Sequence, residues 1–190
     1  GNITNDPRFV DDSQAIFSLL ASSQCINAGH PDSIDSDGSR ADMGAFPFLN
    51  EYSGPDWHVS VDGDNISGTG ELANPFASIQ AGINFASSSD SVLVGPGTYY
   101  DNLDFRGRAI TVRGSEGSQN TIVDGNGLAS VVQFENSEIN TSKLIGFTIT
   151  NGNAHTGGGI YIRFASPILE DLRVTNNVAG YQGGGIYAEY

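Results

Sequence analysis

The sequence predicts an all-β chain: a single-stranded parallel β-helix, or solenoid, with a short N-terminal capping helix. Three observations predict it. First, the composition favours strands and tight turns: 25 of the 190 residues are glycine, with a single Met and, at Lys143, a single Lys. The usual glycine level is about 7%, and abundant Asn, Ser, Thr, Val and Ile suit turns and pleated surfaces better than helices. Second, a block recurs. Thr148-Ile149-Thr150-Asn151-Gly152-Asn153 leads into Gly157-Gly158-Gly159-Ile160-Tyr161, and Arg173-Val174-Thr175-Asn176-Asn177 leads into Gly183-Gly184-Gly185-Ile186-Tyr187. The two halves of the block are offset by 25 and 26 residues, and an earlier copy, Thr121-Ile122-Val123-Asp124-Gly125-Asn126, precedes Thr148 by 27. Third, each copy carries a short alternating strand, Phe147-x-Ile149 or Leu172-x-Val174, closed by a polar turn.

A strand this short cannot bury its apolar face alone. Stacking one coil on the next buries it as a continuous column. The spacing therefore places Ile122, Ile149 and Val174 in one interior column, and Asp124, Asn151 and Asn176 at one corner, where side-chain amides can bond along the axis. The glycine triplets mark places where a Cβ would clash. Ser91-Val92-Leu93-Val94 and Ala109-Ile110-Thr111-Val112 read as strands of earlier coils, with turns at Gly95-Pro96-Gly97-Thr98 and Arg113-Gly114-Ser115. An amphipathic helix over 75–86, opened by Asn74-Pro75 and carrying Ile79, Ile83, Phe85 and Ala86 on one face, precedes them. It would plug the open end of the stack.

The first fifty residues carry little periodicity. The boundaries are set at 1–50 for an irregular leader, 51–56 for a linker, and 57–190 for the β-helix. Gly1 reads as a residue left by tag removal.

Residues 57–190 resemble the start of a pectin-lyase-like right-handed parallel β-helix. The residues that carry this are Asn74-Pro75-Phe76-Ala77-Ser78-Ile79-Gln80-Ala81-Gly82-Ile83, Val92-Leu93-Val94-x-Pro96-Gly97-Thr98-Tyr99, Thr121-Ile122-Val123-Asp124-Gly125 and the Gly-Gly-Gly-Ile-Tyr repeats. Residues 6–48 resemble the closing segment of such a helix, through Asp6-Pro7-Arg8-Phe9-Val10-Asp11, Cys25-Ile26-Asn27-Ala28-Gly29 and Asp42-Met43-Gly44-Ala45-Phe46. An ending thus precedes a beginning, and Tyr190 falls in mid-repeat. The expectation is a fragment of a longer protein, either a tandem array or a truncated reading frame. The resemblance implies a fold and no single activity, since the family holds lyases, hydrolases and adhesins.

With 22 acidic residues against 8 basic ones and a formal charge of −14, the chain is unsuited to nucleic acid or to an anionic membrane surface. No run approaches the ~20 apolar residues of a membrane span. Cys25, the only cysteine, cannot form an internal disulfide and reads as a small buried residue.

Among chemical motifs, Asp35, Asp37 and Asp42 around Gly38 partly match a calcium loop, where oxygen ligands alternate along a turn. They lack the closing bidentate Glu, and the same residues suit a plain turn with Arg40 pairing an acid. Asp62-Gly63-Asp64-Asn65 is a weaker acidic turn. Catalysis by a lyase of this fold would need calcium-bound carboxylates beside an Arg or Lys base. Arg163 and Arg173 are available, with Glu170 and Asp171 nearby, but surface ion pairs explain them. A glycosidase would need clustered acids; Asp11-Asp12 lies in the leader. No catalytic residue is assigned. His30, His58 and His155 read as isolated polar residues. Tyr181 and Tyr100 are the residues proposed to stack on sugar rings, Tyr181 being the tyrosine least explained by packing.

These observations point to a secreted or cell-surface module that binds a polysaccharide or cell-surface glycan, or supports adhesion, without catalysis. The first alternative is a polysaccharide lyase or glycoside hydrolase whose active site lies on missing coils; the second is a structural spacer. Calcium is the only cofactor suggested. Self-association through an open C-terminal coil is expected.

Overall fold

Short alternating strands stack in parallel, one turn of chain on the next, and each turn buries what it could not bury alone. Residues 6–190 are described, from a computed structural model; Gly1 lies outside them. The solenoid has about four turns. Coil 1 comprises β4 (Ser91–Val94), β5 (Gly97–Tyr100) and β6 (Leu103–Asp104). Coil 2 comprises β7 (Thr111–Gly114), β8 (Thr121–Asp124) and β9 (Val132–Phe134). Coil 3 comprises β10 (Lys143–Thr150), β11 (Asn153–Thr156) and β12 (Ile160–Arg163), and coil 4 comprises β13 (Ile168–Thr175), β14 (Val178–Gln182) and β15 (Ile186–Glu189). Every pairing between successive coils is parallel.

Each long strand bends at one corner and ends at a second. In β10 the bend falls at Gly146, φ +79°, opposite Asp171 of β13 at φ +47°. Glycine takes this left-handed region freely, and a short Asp side chain tolerates it. The second corner is held by Asn126, Asn151 and Asn176, at φ +53°, +57° and +55°. The corner column therefore runs through Asn126 rather than Asp124. Asp124 still contributes, because the Asn151 side-chain amide donates to its carboxylate at 2.8 Å.

The 25-residue register between Phe147 and Leu172, and between Ile149 and Val174, holds in the structure. The 27-residue offset does not. Ile149 lies opposite Val123, which is completely buried, whereas Ile122 sits opposite Thr148 on the outer face. A slip of one residue turns a strand over, so Val123 replaces Ile122 in the interior column. A second column runs Leu103–Val132–Ile160–Ile186, and Phe105 and Phe134 pack with ring centroids 4.3 Å apart. The glycine triplets answer to coil-to-coil contact as well as to bending. A Cβ on Gly158 would lie 2.2 Å from the Val178 carbonyl oxygen.

The helix is shorter than its sequence pattern. Ser78 is the N-cap and α1 spans Ile79–Phe85; Asn74 bridges to Glu71, and Phe76 bridges to Val59 of β3 (Asp56–Val59). The helix closes the N-terminal edge of the solenoid. The Gln80 side-chain amide donates to the Asp104 carbonyl and accepts the Asp104 N–H, at 3.1 and 2.9 Å. One side chain thus satisfies backbone groups that a further strand would otherwise pair.

Residues 6–50 lie against the outside of this helix. They contain a two-stranded antiparallel unit, β1 (Phe9–Asp11) with β2 (Ile16–Leu19). Asn84 of α1 donates to the carbonyls of Ala21 and Ser23 at 3.0 and 2.8 Å. Leu19, Ala21, Cys25 and Ile26 are buried in one apolar cluster with Trp57, Phe76 and the helix. Cys25 is a free, buried thiol.

Candidate functional site

Three regions carry residues able to bind something. The first is the acidic loop. Both Asp37 oxygens are engaged: Oδ1 accepts from the Ser39 N–H and hydroxyl, and Oδ2 accepts the Asn50 N–H at 2.8 Å. Asp42 accepts the N–H groups of Asn27 and Phe48, at 2.7 and 2.8 Å, and Asp35 accepts that of Asp42 at 2.9 Å. Burial opposes the charge of Asp37, but the hydrogen bonds from Asn50 and Ser39 outweigh it and lower its pKa. Burial leads at Asp42 and raises its pKa, with Asp35 and Asp37 adding repulsion. The three carboxylates tie turns together. Their oxygens accept backbone N–H groups, and among the described residues no three acidic, His or Cys side chains gather where a metal ion could be held. Asp62 is exposed, and Asp64 accepts from Ile66 and Ser67 in an ordinary turn.

The second region is an aromatic face on coils 3 and 4. Tyr161 and Tyr187 are register partners, and their rings stack at 5.7 Å and 7°. One corner away, His155 of β11 stacks under Tyr181 of β14 at 5.7 Å and 6°. Tyr181 is 71% exposed. Desolvation leads in raising the Tyr187 pKa, with Glu189, Tyr161 and Tyr181 contributing repulsion. His155 is thus a stacking partner rather than an isolated polar residue. Tyr100, 72% exposed, lies on coil 1 opposite Asp124. Coils are about 4.8 Å apart, so Tyr100 and Tyr181, three coils apart and on different sheets, do not share one platform.

The third region is a cavity of about 560 Å³ between the leader and the solenoid. Arg40, Arg106 and Arg108 line it together with Tyr52, Trp57 and Phe85. Arg40 pairs no acid; its guanidinium donates to the Gly29 carbonyl oxygen. Arg106 donates to the Ile26 carbonyl at 3.0 Å and to Asn84 Oδ1 at 2.9 Å, and Arg108 to the Ala86 carbonyl. Burial lowers the Arg106 pKa, with Asp104 opposing and Arg40 adding to the effect. Arg108 is pushed down to about 10, by burial first and then by Arg106 and Arg40.

No protein-family model, curated protein or solved structure matches the chain. The fold and these surfaces therefore stand on their own geometry.

Arg163 and Arg173 form no ion pair; among the described residues the pairs are Arg8–Asp101 and His30–Asp32. Arg163 lies over the Phe164 ring at 5.1 Å, and Asp171 accepts from Ser118. The sequence reading missed Arg106 and Arg108. The available signal was Arg106-Gly107-Arg108 itself: two of the chain's 8 basic residues fall two positions apart. Nothing local brings Arg40 to them; the folded-back leader does.

Proposed function

We propose that this chain is part of a secreted or cell-surface β-helix of the pectin-lyase-like kind, and that it binds glycan chains without cleaving them. The observation that carries the reading is the aromatic face. Two ring pairs, His155–Tyr181 and Tyr161–Tyr187, repeat at coil spacing on the outer surface. Parallel stacking covers the facing side of each ring and leaves its edge and hydroxyl outward, which suits sugar C–H groups and hydroxyls. Holding the rings in place beforehand lowers the entropy lost on binding. A spacer has no use for an exposed Tyr181.

Affinity electrophoresis through gels containing neutral and acidic polysaccharides tests it. Retardation by at least one polysaccharide is expected, reduced in Tyr181→Ala and Tyr187→Ala. Mobility unchanged in every gel would leave the spacer reading. Release of unsaturated, ultraviolet-absorbing products from an acidic polysaccharide would replace it with the lyase reading.

A further inference from the structure

An acidic chain ordinarily engages its few cations in ion pairs, because 22 carboxylates compete for 8 basic residues. Three of those basic residues instead surround one cavity, and among the described residues none of Arg40, Arg106 and Arg108 forms an ion pair. Gathering like charges at a partly buried place costs free energy. Asp104 and Asp90 offset part of that cost without closing an ion pair, which leaves the guanidiniums able to take an anion in the cavity.

The polar atoms there are also incompletely used. Arg108 Nε is buried without a hydrogen-bond partner, and so is Asn27 Oδ1, whose residue lines the same cavity. Buried polar groups are nearly always partnered, so each exception calls for a reason. A guanidinium offers its donors in a planar fork that matches a carboxylate.

We propose that this cavity is a binding site for a small hydroxylated carboxylate, held through its carboxylate by Arg106 and Arg108, with Arg40 closing over it. The lining sets the charge of the ligand. Asp37 and Glu51 also face the cavity, and Asp104, Asp42 and Asp90 act on Arg106 and Arg108 from around it, so the site has no surplus positive charge to hold a dianion. A monoanion meets less repulsion there than a dianion such as phosphate. Glu51 has acceptor capacity for ligand hydroxyls, and Trp57, Tyr52 and Phe85 supply ring surface for a compact apolar face. The volume lies within the usual range for small-ligand sites, roughly 300–1,000 Å³. This site is separate from the aromatic face, on the opposite end of the solenoid, and stands or falls independently of it.

Trp57 is the only tryptophan in the chain, and it lines the cavity, so its fluorescence reports occupancy. Glucuronate is titrated at fixed ionic strength, with glucose as its uncharged counterpart and inorganic sulfate as a dianion. A saturable change with glucuronate in the millimolar range, and none with glucose, is expected. Arg108→Gln should weaken glucuronate about tenfold, the loss of a charge-assisted contact. Because Arg108 is partly buried and its replacement can impair folding, the exposed Arg40→Gln is tested beside it. Arg40→Gln should retain the wild-type melting curve and still bind several-fold more weakly. The site is overturned if glucuronate gives no saturable change, if glucose matches it, or if Arg40→Gln binds as wild type. Tighter binding of sulfate would overturn the carboxylate assignment.

Discussion

The Asp101 carboxylate accepts the backbone N–H of Ile79 at 2.8 Å, and so holds the first residue of the capping helix from one coil below. Asp101 is 4% exposed, and Arg8 is 4.0 Å away. Burial pushes its pKa up to about 6, against the N–H of Gln80, Arg8 and the N–H of Ile79, which favour the charged form. The folded value thus stands above the ordinary 3.8. The stability this group contributes is present below pH 3.8 and is lost as pH rises through about 6. Two units correspond to about 3 kcal/mol. Asp101→Asn keeps an acceptor for Ile79 and removes the titration. Urea melts at pH 4 and pH 7 should show the variant near wild type at the lower pH. At the higher pH it should be more stable by up to about 3 kcal/mol. A difference that does not change with pH would contradict the assignment.

Val123 and Ile122 are neighbours on opposite faces of β8, which makes their substitution a direct test of register. Val123→Asp places an unpaired charge against Ile149 and should abolish folding, as should Ile149→Asp, since either cost exceeds several kcal/mol. Ile122→Asp, on the outer face, should fold, with a loss of about 1 kcal/mol. Circular dichroism of the three variants decides it. A folded Val123→Asp beside an unfolded Ile122→Asp would restore the other register.

That pair also shows where the sequence stops being legible. Between β10 and β13 the spacing is free of insertions, and the strand positions of Phe147, Leu172, Ile149 and Val174 follow from alternation alone. Coil 2 inserts Gly125 between the strand end at Asp124 and the corner residue Asn126, whereas Thr150 runs directly into Asn151. Matching Thr121 to Thr148 by residue type then shifts the strand by one. Ile122 and Val123 are both apolar, so alternation could not correct it. The helix was legible as amphipathic, but its start was displaced because the segment after Asn74 first bridges to β3. Tyr181 was legible as unexplained; its partner His155 required the stacking of β11 on β14. The arginine cavity depends on a contact between the leader and coil 1, which no local pattern encodes.

Asp37 holds Asn50 and Ser39 through its carboxylate, and that role predicts a stability effect without a metal effect. Asp37→Ala should lower stability by about 1–3 kcal/mol, the worth of hydrogen bonds to a charged acceptor. Its lowered pKa means that the stability it supplies is present above the ordinary 3.8 and is lost as pH falls. Millimolar calcium or chelator should leave the wild-type melting temperature unchanged. A rise with calcium that disappears in Asp37→Ala would identify the loop as a cation site by mass action.

The 190-residue chain should self-associate through coil 4. Its two ends are unequal. At the first, α1, the bridge at Phe76 and residues 6–50 cover the strand edges, so the leader lies away from coil 4. At the other, β13, β14 and β15 are each the outer strand of their sheet. Ile168, Val178 and Ile186 are 37%, 60% and 46% exposed, and Leu169, Leu172 and Val174 are only partly covered. A row of unpaired strand groups beside uncovered aliphatic side chains is a template for pairing with another chain. Two copies joined at coil 4 close on a two-fold axis, the commonest symmetric arrangement. Head-to-tail growth would require the covered end to open. Sedimentation velocity over a range of concentrations should therefore show a dimer in exchange with the 20.0 kDa monomer, and Ile186→Lys should dissociate it. A monomer at every concentration, or a series of larger species without limit, would contradict the two-fold arrangement.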